Sequence, residues 1–124
     1  MTTRMTIVLT VLFSSALLAA QDALATVAYQ VPAGTVGTQN YPFPLGMDFD
    51  VVNPITITDL GVFDSGSNGL SLALSASLWN RNSTGAPLVT LAFPVGPTGT
   101  LIDGSRFLPL GSPLTLPAVS AAPS

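Results

Sequence analysis

Leu70-Ser71-Leu72-Ala73-Leu74-Ser75-Ala76-Ser77-Leu78-Trp79 alternates apolar and small polar residues over ten positions. Leu70, Leu72, Leu74, Ala76 and Leu78 share one parity; Ser71, Ser75, Ser77 and Trp79 share the other. That spacing lines one face of a pleated strand but would wrap round a helix, so it predicts a strand with one buried and one wet face.

The same period of two recurs on both sides, interrupted at short intervals by Pro, Gly and Asn clusters, which is the pattern of an antiparallel all-β chain. Upstream, Thr26–Val31 and Gly46–Val52 are predicted strands, the second with Met47, Phe49 and Val51 on one face and Asp48 and Asp50 on the other. Ile55–Phe63 changes phase between Ile57 and Leu60, which predicts either a β-bulge near Thr58-Asp59 or a strand that changes sheet. Asp64–Gly69 is a polar turn. Downstream, Asn80–Pro87 is a polar loop and Leu88–Phe93 a strand. After a turn at Gly96–Thr100 come Leu101-Ile102 and two short strands, Arg106–Leu110 and Leu114–Leu116. Pro109 and Pro113 each remove a ladder donor and favour edge positions.

The N-terminus carries an address. Arg4 precedes an apolar run from Met5 to Ala20, Gln21 and Asp22 end it, and Ala23-Leu24-Ala25 is a small-x-small cleavage pattern. The run is shorter than the roughly 20 residues of a bilayer-spanning helix, so residues 1–25 are expected to form a signal-peptide helix that is cleaved, leaving no stable membrane span. The expected location is secreted, extracellular or periplasmic. The expected organisation is a signal peptide at 1–25, one β-sandwich domain at 26–117, and an unstructured tail at 118–124. A domain of roughly 100 residues buries a modest core and has a small stability margin.

Beyond residue 25 the charged side chains are Arg81 and Arg106 against Asp48, Asp50, Asp59, Asp64 and Asp103, and the whole chain has no His, Cys, Lys or Glu. A surface so poor in cations is unsuited to nucleic acid. Without His, Lys or Cys, acid–base chemistry would fall to carboxylates, so a secreted hydrolase using Asp48, Asp50 or Asp64 is a minor alternative to a non-catalytic module. Asp64-Ser65-Gly66-Ser67-Asn68-Gly69 partly matches a calcium loop but has Gly66 at the third position and Ser75 at the twelfth, which excludes an EF-hand. A looser, weak calcium site would use Asp64 and Asn68, with Asp48 or Asp50 contributing; the competing expectation is a plain turn. Trp79 is a candidate stacking platform for sugar, with Tyr29 and Tyr41 as further aromatics, so a carbohydrate-binding domain is the second alternative. Asn82-Ser83-Thr84 fits the N-glycosylation pattern.

Leu45-Gly46-Met47-Asp48-Phe49-Asp50-Val51, then Ile55-Thr56-Ile57-Thr58-Asp59-Leu60-Gly61-Val62-Phe63-Asp64, resemble a group of bacterial secreted proteins of unknown function. The likeness continues through Asn68-Gly69-Leu70, Leu78-Trp79 and Gly104-Ser105-Arg106-Phe107. Many proteins of that group carry a PEP-CTERM sorting signal read by exosortase-type machinery. The resemblance spans about Gly37 to Pro117, with Leu60–Asp64 its most specific part. It implies export and an antiparallel β-sandwich, jelly-roll or Ig-like, and it carries no known activity. The chain departs from the group after Leu114-Thr115-Leu116-Pro117, where Ala118–Ser124 replaces an aromatic-containing strand and no sorting signal follows. It therefore reads as a truncated or frame-shifted member lacking its closing strand. The expected function is an extracellular structural or binding module, with a polysaccharide or a cell-surface protein as partner. An open sheet edge is expected to promote self-association.

Overall fold

A computed structural model describes residues 25–83 and 85–119. The expected signal helix and most of the tail lie outside them. Among the described residues five strands form: β1 (Ile55–Phe63), β2 (Leu74–Leu78), β3 (Val89–Phe93), β4 (Thr100–Ile102) and β5 (Ser105–Leu116). They make two antiparallel sheets, one of order β1-β5-β4 and one pairing β2 with β3. The only helical segment among the described residues is a 3₁₀ turn, Ser65–Ser67. The regular secondary structure of the described residues is therefore nearly all β.

β2 and β3 follow from their alternation. Leu74, Ala76 and Leu78 pair with Phe93, Leu91 and Val89 on one face; Ser75 and Ser77 face Ala92 and Thr90 on the other, where the Ser77 and Thr90 hydroxyls meet at 2.7 Å. Phe93 is fully buried. β2 is shorter than the period-two run that predicts it. The Ser71 N–H donates to Gln39 Oε1 (3.2 Å), while Leu70 and Gly96 exchange two backbone bonds as an isolated bridge. With these donors committed elsewhere, the ladder starts at Leu74.

The bulge predicted near Thr58-Asp59 is present, with the extra residues on the partner. Ile57 pairs with Leu114 and Asp59 with Pro109, so Thr58 alone faces Leu110–Pro113. The two short strands expected at 106–110 and 114–116 are accordingly one strand, kept in a single sheet by this irregularity. Both prolines lie beyond the reach of β4, which pairs only with Ser105–Phe107, so β5 has one neighbour there.

Two expected strands do not form. Among the described residues, Thr26–Val31 makes one backbone bond to the sheet, from the Gly104 N–H to the Val31 carbonyl (2.7 Å), before the chain turns at Pro32–Thr35. Gly46–Val52 has the alternation of a strand but, among the described residues, no strand beside it. The backbone bond it makes among those residues is from the Val119 N–H to the Val51 carbonyl (2.9 Å), so the tail touches the fold at Val119. Val51, Leu70, Phe93 and Leu110 are the buried apolar residues, joined by buried Asp64, Ser105 and Arg106.

Candidate functional site

The most constrained group of polar side chains gathers where β1 ends against the start of β5. Gly61, Val62 and Phe63 pair with Phe107, Arg106 and Ser105, and the Asp64 N–H donates to the Gly104 carbonyl (2.9 Å). Side chains two apart on a strand share a face, so Asp64 sits on the side of Val62 and diagonal to Arg106. Arg106 Nε donates to Asp64 Oδ2 at 2.7 Å, and the Gly69 N–H donates to both carboxylate oxygens at 2.9 and 3.1 Å. Asp64 is completely buried and Arg106 nearly so. The other face carries the aromatics. A Cβ on Gly61 would lie 2.6 Å from the Phe107 ring, so this ring covers the bare backbone of its cross-strand partner.

The turn after Asp64 closes back on its carboxylate because its backbone enters the left-handed region at Gly66 (φ 78°), Ser67 (φ 55°) and Gly69 (φ 105°). It is also fastened to residues 34–39. Gly66 N–H donates to the Thr35 carbonyl, Gly34 N–H to Ser67 Oγ, and Gly37 N–H to Ser65 Oγ, which donates in return to the Gly37 carbonyl. Gln39 Nε2 donates to the Phe63 carbonyl (2.8 Å), and its Oε1 accepts from both the N–H and the hydroxyl of Ser71. A shallow cleft of about 510 Å³ lies over this seam, bordered by Thr38, Gln39, Asn40, Ser65, Asn68 and Leu72.

The four candidate calcium ligands fall into two sets. Asp64 is satisfied by Arg106 and Gly69. Asn68, exposed beside it, brings its side-chain amide against the Ser65 and Gly69 carbonyls, and the amide satisfies both when its nitrogen is the atom turned toward them, at 3.2 and 3.3 Å. Asp48 and Asp50 are exposed and engage Arg81, Asp50 closely and Asp48 at 3.8 Å. Among the described residues no three carboxylates converge. Asp64 is thus balanced by Arg106, whereas Asp48 and Asp50 share the single positive charge of Arg81.

Trp79 is 54% exposed just past β2. Tyr29 and Tyr41 are exposed as well, but the ring contact among the described residues joins Tyr41 edge-on to Phe43, with centroids 5.8 Å apart, and leaves Trp79 separate. Asn82 lies exposed in a turn where its N–H donates to Asn80 Oδ1. The Asp64–Arg106 pair is the central feature that sequence reading missed. Its trace was the presence of both residues in the resembling motifs, Val62-Phe63-Asp64 and Gly104-Ser105-Arg106-Phe107. Among the described residues no helix is long and apolar enough to cross a membrane. Comparison with protein-family models, curated proteins and solved structures returns no match.

Proposed function

We propose that this chain is an exported, non-catalytic β-sandwich module, related to those of PEP-CTERM proteins, that serves as a structural or binding unit outside the cytoplasm. The observation that carries this reading is the use made of the motif residues. Leu60–Asp64 and Gly104–Phe107, the segments that most resemble that group, are spent on each other through a strand ladder, a glycine–aromatic contact and a buried ion pair. A signature whose charged residues are buried and paired with each other encodes a scaffold, and the fully buried Asp64 presents no surface to a substrate. Two antiparallel sheets, with buried Phe93 on the smaller and Leu110 on the larger, support the sandwich reading.

A carbohydrate-binding role is the second reading, favoured by the exposure of Trp79. The test uses protein recovered from an exporting host, whose N-terminus should read Thr26-Val27-Ala28. Incubated with a panel of extracellular polysaccharides, it should release no reducing ends, and Asp64→Asn should change folding only. Glycan retention lost in Trp79→Ala would favour the second reading; hydrolysis would overturn both.

A further inference from the structure

Tyr41, Phe43, Leu45, Met47 and Phe49 share one parity and are all exposed, between 47 and 77%. From Pro44 to Val51 the backbone runs without turn or bend, and among the described residues no backbone hydrogen bond reaches Phe43–Phe49. In an extended chain, alternate residues turn their N–H and C=O groups to opposite edges. Pro42 and Pro44 lie on the even parity, so proline removes donors from one edge only. The odd edge keeps every donor from Phe43 to Phe49. Val51, on that same parity, accepts a backbone bond from Val119, so the odd edge takes a backbone donor at that end.

We propose that the odd edge of residues 45–49 pairs with the same segment of a second copy of this chain, antiparallel and about a two-fold axis at Met47. In that register Leu45 faces the partner's Phe49, Met47 faces the partner's Met47, and apolar side chains of both copies share one face. Asp48 falls opposite the partner's Gly46 and Asp50 opposite the partner's Pro44, so no aspartate meets another across the pair. Both acids are also held by Arg81 within their own copy, which lowers repulsion between the ribbons. The register stops short of Val51, leaving its bond to Val119 intact. Edge pairing of two such short segments covers on the order of several hundred Å², less than the roughly 1,200 Å² of a standard stable interface. The dimer is therefore weak and dissociates on dilution.

The exported protein provides the test, by sedimentation from micromolar to submillimolar concentration together with two pairs of variants. Met47→Pro removes a donor from the pairing edge and should abolish the dimer; Asp48→Pro removes one from the opposite edge and should leave it. The chain has no cysteine, so single introduced thiols report the register. Facing residues of a hydrogen-bonded pair lie about 5.5 Å apart at Cα, within disulfide range. Met47→Cys should therefore form a linked dimer about tenfold or more faster than Leu45→Cys, whose copies would sit roughly 14 Å apart. A monomer at every concentration, as would follow if residues after Val119 of the same chain lined this edge, would overturn the proposal. So would equal cross-linking at 45 and 47, or a Met47→Pro protein that dimerises like the parent.

Discussion

Asp64 is buried with one cation and one backbone donor, and both face its carboxylate. Taking a carboxylate and a guanidinium out of water costs several kcal/mol, offset here by close contact and by the Gly69 bond. Removing one partner should therefore be much worse than removing both. Arg106→Leu is expected to cost about 3–5 kcal/mol of stability, because it leaves an unpaired buried charge. Arg106→Leu with Asp64→Leu should recover part of that loss, and urea melts of the two singles and the double measure the coupling. Additive losses would show that the pair contributes no interaction. The same geometry bears on calcium: a cation at Asp64 and Asn68 must displace Arg106 and break the Asn68 contacts. The melting temperature is expected to be the same in millimolar calcium and in chelator. A calcium-dependent rise lost in Asp64→Asn would reinstate a site in the turn.

The seam between residues 34–39 and the 64–69 turn shows how a segment without strand pairing is held in place. Gln39 bridges the end of β1 and the approach to β2 through three hydrogen bonds. Each contributes about 0.5–1.5 kcal/mol net. Gln39→Ala should release Ser71 and loosen residues 34–40 while leaving β2 and β3 paired. Hydrogen exchange should then speed at the Ser71 amide and stay slow at Ala76 and Leu91; uniform acceleration would mean that Gln39 supports the whole fold. Gly104 has a distinct role in the β4–β5 connection. The positive φ there belongs to Asp103 (52°), whereas a Cβ on Gly104 would lie 2.7 Å from the Pro32 carbonyl oxygen. Backbone approach, more than turn geometry, makes glycine necessary at 104. Asp103-Gly104 between apolar residues is a hairpin signal, one that the reading of the sequence passed over.

At the scale of the molecule the apolar core is small, and among the described residues Phe93 and Leu70 are its fully buried large apolar side chains. Phe93→Ala is expected to cost about 3–5 kcal/mol, comparable with the whole stability of a small domain. That variant should be largely unfolded at room temperature by circular dichroism; a cooperative melt close to the parent's would show that the sheets are held mainly by their ladders and polar seams.

What the sequence by itself determined is local: which residues share a face, where the chain turns, and where a strand changes phase. Leu74–Leu78, the bulge beside Thr58 and the polar turn after Asp64 were legible for that reason, since alternation and turn chemistry act over a few residues. Pairing is not local. Gly46–Val52 alternates as well as β3 does, yet an alternating segment becomes a strand only when another edge supplies its hydrogen bonds, and within the described fold that edge is present only at Val119. Asp64 and Arg106 lie 42 positions apart, and nothing in either neighbourhood specifies the other. Only the tertiary structure, by setting the β1–β5 register, decided that these two charges meet away from water.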